Sequence, residues 1–201
     1  MEDRKLTNFI KALLDVDKEE VHNLYQQFKN DYPICLTRDL QKAKQWVKDK
    51  AKGSERYGLT ASSGAKRLRK YGIWVQNKID APVWFLNDRN DVRLSFYLEE
   101  TATEFDIQGL ELDWTIICWD ANLRFNGLEF EYYNFLGTKW NNVRNEANIL
   151  YLKNAYRVLL TRARQGFIIF IPNGDENDKT MLPAYYDGVY SYLKNIGIKE
   201  I

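Results

Sequence analysis

The sequence predicts an α/β domain of three layers, in which a mostly parallel sheet lies between helices and carries a β-hairpin insertion. Short apolar runs typical of buried strands alternate with amphipathic helical segments, which is the pattern of such domains. The chain has 201 residues with 45% hydrophobic content, enough for one domain with a substantial core. Asn126 and Gly127 stand between alternating apolar and polar residues, as in a hairpin turn.

Composition excludes several classes of function. The 29 Lys and Arg residues nearly balance the 28 Asp and Glu residues, so any nucleic-acid surface must be local. His22 is the only histidine and is expected on an exposed helix face, which excludes a Ser-His-Asp triad and a histidine metal cluster. Cys35 and Cys118 lie in apolar runs, which favours buried reduced thiols.

The start of the chain is charged and predicts no signal peptide. No apolar run approaches the roughly 18 residues that a membrane span needs. We therefore expect a soluble, cytoplasmic protein that does not bind membranes.

Residues 1–30 are predicted to form a helical lead-in before the main domain, which would span residues 31–201. Apolar residues recur at helical spacing in two stretches, and Asp17 followed by Glu20 fits a cap at the start of the second helix. We expect this lead-in to cover an edge of the domain or to contact a neighbouring domain.

The first β-α unit is predicted from a strand at residues 34–37 and a helix at 39–52. A second strand at 57–61 runs into the most basic segment of the chain, which contains Lys66, Arg67 and Arg69. These side chains suit backbone phosphates of a nucleic acid, or they form an ordinary solvated basic face.

The segment from Gly58 to Lys66 superficially suggests a Walker A phosphate loop. Five residues separate Gly58 from Gly64, and Arg67 stands where the magnesium-binding Ser or Thr should be. We therefore reject a Walker A loop here.

Residues 98–120 predict two strands separated by the tetrapeptide Gln108-Gly109-Leu110-Glu111. A glycine between strands lets the backbone approach another group closely. Glu111 is expected at the mouth of a strand, where open α/β sheets bind ligands. Taken alone, such a tetrapeptide is also typical of a plain turn.

The hairpin insertion is predicted at about residues 122–145. It carries several aromatic residues together with Arg124 and Lys139. The aromatic rings could stack on unpaired bases, or they could pack the hairpin onto the sheet.

The stretch at residues 147–171 predicts an amphipathic helix that ends near Arg162 and leads into a buried strand. The expected inward face carries Ala147, Leu150, Tyr151, Asn154, Ala155, Val158, Leu159 and Arg162. Gly166 is expected to close the helix in the left-handed conformation. Arg162 and Arg164 would then be held rigidly beside the sheet. A fixed guanidinium suits phosphate oxygens, whereas the alternative is a surface ion pair at a helix C-terminus.

Two motifs together resemble motifs V and VI of superfamily-one helicases of the UvrD type. The first is T-x-x-x-x-Q-G-L-E-x-D from Thr103, and the second is Y-R-V-L-L-T-R-A-R about forty residues later. Over about residues 31–198 the chain also resembles the C-terminal part of the Schlafen-type bacterial DNA/RNA helicase family, whose members contain P-loop NTPase domains. This resemblance implies a RecA-like (P-loop NTPase-type) domain.

The resemblance also implies roles for individual residues. Arg162 matches the arginine that reaches across an interdomain cleft to the γ-phosphate of ATP, and Arg164 is expected to assist it. Glu111 matches an acid that contacts the nucleotide, with Gln108 and Gly109 in the same loop. Thr103 matches the threonine of a T-x-H motif near the nucleic-acid backbone, although Phe105 replaces the histidine.

No stretch of the sequence supplies the Walker A lysine or the Walker B acid that hold ATP and Mg²⁺. The resemblance therefore implies a half-site: a second motor domain of a helicase or nucleic-acid-dependent ATPase that needs a P-loop partner domain or chain. Single-stranded DNA or RNA is the expected nucleic-acid partner. The alternative is a non-catalytic nucleic-acid-binding or protein-interaction module that retains the fold.

Overall fold

The computed structural model describes residues 3–86 and 93–201. It confirms the predicted fold class, a three-layer RecA-like α/β fold. The helices, in chain order, are α1 (Asp3–Asp15), α2 (Lys18–Phe28), α3 (Leu40–Lys50), α4 (Ala81–Leu86), α5 (Glu146–Leu160) and α6 (Ala184–Asn195). The strands are β1 (Ile34–Thr37), β2 (Tyr57–Ala61), β3 (Thr101–Ala102), β4 (Leu112–Cys118), β5 (Leu123–Phe125), β6 (Phe130–Leu136), β7 (Lys139–Asn142), β8 (Ala163–Phe170) and β9 (Lys199–Glu200).

The central sheet has six strands in the order β3-β2-β4-β8-β1-β9. Each pairing between neighbours in this sheet is parallel. Strands β4 and β8 lie in the middle and are buried on both faces, which explains their runs of isoleucine and phenylalanine. The loops before β4 and β8 therefore meet at one edge of the sheet.

Two hydrophobic cores lie on opposite faces of this sheet. In β8, Phe167 and Ile169 join one core, whereas Ile168 and Phe170 join the other. This alternation is the two-residue period of a strand covered on both sides. Helices α1, α2, α5 and α6 contribute buried residues to the first core, and α3 contributes to the second, which gives the three layers.

The predicted lead-in forms α1 and α2, and the Asp17 carboxylate accepts the predicted capping hydrogen bond from the Glu20 N–H at 3.1 Å. Both helices bury their apolar faces in the first core. Phe9, for example, is 1% exposed and stacks near Tyr25 and Phe28. The boundary at residue 30 stays a prediction.

Helix α5 differs from its prediction in phase and in length. Its buried residues are Leu152, Ala155, Tyr156, Leu159 and Leu160. The expected inward residues near its start are wrong: Ala147 is exposed, and Leu150 and Tyr151 are 55% and 46% exposed. Ala155 and Leu159, which were also expected inward, are buried as predicted, so the observed face overlaps the predicted one and is rotated toward Leu152 and Tyr156.

Gly166 does not close a helix, because α5 ends at Leu160 and Gly166 lies inside β8. A Cβ atom built on Gly166 would lie 2.5 Å from the Pro33 carbonyl oxygen and 2.9 Å from the Trp114 ring. The glycine is therefore needed for close approach between neighbouring chain segments.

The predicted hairpin insertion is present as a three-stranded antiparallel sheet of β5, β6 and β7. The structure favours packing over a free stacking platform. Phe125 stacks on Tyr192 of α6 at 4.4 Å between ring centroids. Arg124 lies between the rings of Tyr133 and Tyr185, at 3.9 and 3.5 Å.

Both cysteines are free and buried, as predicted. Burial raises the pKa of the Cys118 thiol well above its ordinary value. In the described part of the chain, no helix has the length and apolar content required to cross a membrane.

Candidate functional site

A cleft of about 470 Å³ lies where α5 passes into β8. Arg162 and Arg164 line it together with Glu111, which directly precedes β4. The chains before β4 and β8 are joined here by a hydrogen bond from the Leu112 N–H to the Arg162 carbonyl oxygen at 3.2 Å. The structure thus brings Glu111 together with Arg162 and Arg164, which lie about fifty positions later in the sequence.

Arg162 is half-buried at this junction rather than on the helix itself. Its Nε atom is buried and has no hydrogen-bond partner among the described residues. A buried donor without a partner costs about 1–3 kcal/mol, and native proteins contain few of them. The arrangement is therefore suited to an acceptor group supplied by a ligand.

Arg164 lies within β8 and forms an open ion pair with Glu111, with Nε 3.8 Å from the carboxylate. Both side chains are 64% exposed, so the pair adds little to stability. The alternative of a surface ion pair applies to Arg164, whereas Arg162 has no such partner in the described residues. Within residues 3–86 and 93–201, the Arg162 guanidinium is therefore not neutralised by an ion-pair partner.

Gln108 and Gly109 belong to the turn that leads to Glu111 and do not line the cleft. Gly109 has a φ of +84°, in the left-handed region that favours glycine. In the structure, Gly109 therefore allows the backbone of this turn to adopt the left-handed conformation.

The cleft lies at the amino ends of the parallel strands, because Glu111 precedes β4 and Arg162 precedes β8. The expectation that Glu111 marks the usual ligand-binding edge, at the carboxyl ends of strands, is therefore wrong. A strand's apolar run alone does not reveal its direction in the sheet.

Tyr32 supports the cleft from below. Its side chain is 1% exposed, and its hydroxyl donates a hydrogen bond to the Ala163 carbonyl oxygen at 2.7 Å. The tyrosine is thereby fixed to the residue that follows Arg162. Leu6 and Thr7 of α1 complete the lining.

Next to the cleft, polar side chains fix the start of β8 and β4. Gln165 donates hydrogen bonds to the carboxylates of Glu55 at 2.7 Å and Asp113 at 3.3 Å. The indole N–H of Trp114 also donates to Glu55, and this bond lowers the pKa of Glu55. Arg162 therefore directly precedes a strand whose first residues are held in place by these hydrogen bonds.

Thr103 lies away from the cleft, after β3, and is 5% exposed. Its hydroxyl donates to the Asp106 carboxylate at 2.7 Å, and its N–H donates to the same oxygen at 2.8 Å. Its side chain therefore caps a local turn, and its contact with nucleic acid stays a prediction.

The basic segment forms a 3₁₀ helix, Lys66–Tyr71. Lys66 donates to the Phe135 carbonyl oxygen at 3.3 Å, and Arg67 binds Thr180 and Asp178 at 2.7 and 3.0 Å. These two half-buried residues attach the segment to the insertion and to the loop before α6, so the segment is not simply a solvated face. Arg69 is exposed, with its guanidinium 3.9 Å from the centre of the Trp74 ring.

The opposite, carboxyl edge of the sheet contains a buried polar network that the sequence reasoning missed. Asp120 is fully buried and accepts hydrogen bonds from the Tyr186 hydroxyl at 2.9 Å and from the Arg67 N–H at 2.9 Å. Burial raises the pKa of Asp120. The sequence signal that could have revealed this network is a charged residue, Asp120, directly after the apolar run Ile-Ile-Cys-Trp. Both carboxylate oxygens of Asp120 accept hydrogen bonds from the protein itself. The bond from Tyr186 connects α6 to the end of β4, so we assign Asp120 a structural role.

The cleft fits the phosphates of a nucleotide better than a metal ion. Two guanidinium groups suit phosphate oxygens, whereas Glu111 is the only carboxylate among the described lining residues. Across residues 3–86 and 93–201, no group of three or more His, Cys, Asp or Glu side chains is arranged to hold a metal ion.

Comparisons with known proteins identify the family. Neither the comparison with curated proteins nor that with solved structures gives a match. Residues 1–173 match the family described as "Schlafen group 3, DNA/RNA helicase domain". The matched span includes α1 and α2 as well as the complete arginine cleft. The chain therefore belongs to the Schlafen group 3 DNA/RNA helicase-domain family.

Proposed function

We propose that the chain is the second, C-terminal RecA-like motor domain of a superfamily-one-like DNA/RNA helicase or nucleic-acid-dependent ATPase, with motifs V and VI at Thr103–Asp113 and Tyr156–Arg164. In this function Arg162 is the arginine finger that stabilises charge on the transferring phosphoryl group of ATP. Glu111 contacts the nucleotide, and Arg164 assists in binding it.

The observation that carries the proposal is the lack of a hydrogen-bond partner for the Arg162 Nε among the described residues. This Nε is buried, while the neighbouring Arg164 is paired with Glu111. A guanidinium fixed by the scaffold loses little conformational freedom when it binds a phosphate. The family match to a DNA/RNA helicase domain supports the same role.

The cleft supplies half of an ATPase site. Phosphoryl transfer also needs a Walker A lysine and a Walker B acid, which place the triphosphate and Mg²⁺. The sequence has no such motifs, so the proposed partner is a P-loop-containing domain or chain that binds ATP·Mg²⁺ against this cleft. The chain alone is not expected to hydrolyse ATP.

The test is ATP turnover by the chain mixed with its P-loop partner and single-stranded DNA or RNA. Arg162→Ala should lower the turnover number by about a thousand- to a hundred-thousand-fold, the usual worth of an arginine finger. Arg144→Ala is the matched control, because Arg144 is exposed just before α5, outside both motifs and away from the cleft lining. Undiminished turnover in Arg162→Ala would remove this residue from the site.

A second candidate, a non-catalytic nucleic-acid-binding module, is favoured by exposed aromatic residues. Phe105 and Tyr151 are 57% and 46% exposed, with ring centroids 6.2 Å apart. Trp74 is 40% exposed beneath the guanidinium of Arg69. Exposed rings of this kind stack on unpaired bases.

This candidate predicts salt-dependent binding of single-stranded DNA or RNA by the chain without a P-loop partner. Arg69→Ala should weaken the binding and reduce its salt dependence. Lys70→Ala is the control, since Lys70 is paired with Asp175 at 3.0 Å. Equal binding by all three proteins would count against this surface.

A further inference from the structure

The first helix, α1, forms one side of the arginine cleft. Leu6 and Thr7 line the same space as Glu111, Arg162 and Arg164. Leu6 is 5% exposed and packs into the core, whereas Thr7 is exposed on the helix surface. Thr7 is therefore the polar residue that α1 presents to the cleft.

Helix α1 is held firmly in this position. The Tyr192 hydroxyl of α6 donates a hydrogen bond to the Leu13 carbonyl oxygen at 2.9 Å, and Lys153 of α5 pairs with Asp15. Phe9, Ile10 and other apolar residues on the inner face are buried. Because these contacts come from two different helices, α1 is a fixed wall.

The charges of the cleft identify the class of ligand. The described residues of its lining include two guanidinium groups and one carboxylate, and that carboxylate faces Arg164. Arg162 remains without a charged partner, and its buried Nε has no acceptor within the described residues. A polyphosphate would provide both the negative charge and the acceptor atoms.

We propose that α1 is part of the polyphosphate site, and that Thr7 is the residue of this helix that contacts the bound phosphates. A threonine hydroxyl can donate to a phosphate oxygen, so it adds a neutral donor opposite the two arginines. The proposal rests on the proposed nucleotide-binding function of the cleft. It extends that function to a helix that lies outside the two helicase-like motifs.

The test measures tripolyphosphate binding to the whole chain by titration calorimetry. Thr7→Glu places a negative charge in the cleft and should weaken binding by about tenfold. Asn8→Glu is the matched control, because Asn8 is also exposed on α1 but lines a different surface depression with Lys11 and Asp15. It should change the affinity by less than about twofold, because its charge lies farther from the bound anion.

Thr7→Ser retains the hydroxyl and should bind nearly as well as the unaltered chain, whereas Thr7→Val should bind less tightly. Equal losses in Thr7→Glu and Asn8→Glu would overturn the proposal, as would no measurable binding of tripolyphosphate by the unaltered chain. Melting temperatures of the two glutamate variants should agree, since both positions are exposed on the same helix.

The same titrations separate this proposal from the function on which it rests. If Arg162→Ala abolishes tripolyphosphate binding while Thr7→Glu behaves like Asn8→Glu, the role of α1 is wrong and the arginine site stands. If Arg162→Ala changes neither tripolyphosphate binding nor turnover with the P-loop partner, the proposed function is wrong.

Discussion

Replacing Tyr32 by phenylalanine removes a single hydroxyl group beneath the cleft. The ring should stay in place, because it is 1% exposed and packs edge-on against Phe28 and Phe167. The Ala163 carbonyl oxygen would lose its 2.7 Å hydrogen bond. Leaving a buried acceptor without this donor costs about 1–3 kcal/mol of the free energy of unfolding.

For a chain of this size, that loss corresponds to a melting temperature lower by about 2–12 °C. Because Ala163 follows Arg162, the strand start that carries the arginine should also become less ordered. We expect weaker tripolyphosphate binding in addition to lower stability. Urea denaturation and calorimetric titration measure the two effects separately.

Tyr186→Phe is the matched control for this prediction. It removes a similar buried hydroxyl, which donates to the Asp120 carboxylate at 2.9 Å at the opposite edge of the sheet, away from the cleft lining. It should lower stability by a similar amount and leave binding unchanged. Wild-type stability in Tyr32→Phe, or equal loss of binding in both variants, would refute the reasoning.

Three further predictions concern residues outside the cleft lining. Gly166→Ala should lower the free energy of unfolding by about 1–3 kcal/mol, because the added Cβ would lie 2.5 Å from the Pro33 carbonyl oxygen; an unchanged urea midpoint would show that the chain accommodates it. Asp15→Asn should reduce stability at neutral pH and should reduce it less near pH 3. The hydrogen bond from Lys153 lowers the pKa of Asp15 below its ordinary 3.8, so its contribution is present above that value and is lost as the pH falls through the folded pKa. Urea denaturation at the two pH values measures this, and an equal deficit at both would contradict it. Arg124→Ala should lower stability by about 1–3 kcal/mol, since Arg124 stacks on Tyr133 and Tyr185; intrinsic fluorescence during denaturation reports on the nearby Trp140, and Lys139→Ala, an exposed neighbour, should have no effect.

Local sequence signals predicted the elements whose structure depends on local chemistry. The Ile34–Thr37 strand follows from its apolar run, and the Asp17 cap follows from the preference of helix starts for a short acceptor side chain. The turn at Asn126-Gly127 likewise follows from backbone preferences, and Gly127 has a φ of +101°.

The errors occurred where contacts distant in sequence decide the outcome. Gly166 looked like a helix end because it follows an amphipathic helical stretch and glycine can adopt the left-handed conformation. The structure instead places it inside β8, close to the Pro33 carbonyl oxygen. The inward face of α5 was shifted because Leu150 and Tyr151 have the right spacing but face solvent. Helical spacing alone does not show which of two overlapping apolar stripes meets the sheet.

The sequence predicted only part of the candidate site, because contacts between distant parts of the chain bring the remaining residues to it. Arg162, Arg164 and Glu111 came from motif resemblance, and the structure places all three in one cleft. Thr7 and Tyr32 carry no local pattern that connects them with these residues. Tyr32 is 131 positions from its hydrogen-bond partner Ala163, and only the packing of α1 and the parallel order of the strands bring them together.

The contacts between α1 and α6 determine whether the chain can be truncated at its N-terminus. Cutting away residues 1–30 would delete the core side chains of Leu6, Phe9 and Leu13 and leave the Tyr192 hydroxyl without its acceptor. The newly exposed apolar surface would drive self-association. A truncated chain should therefore be recovered mainly as aggregate and not as a folded, functional domain.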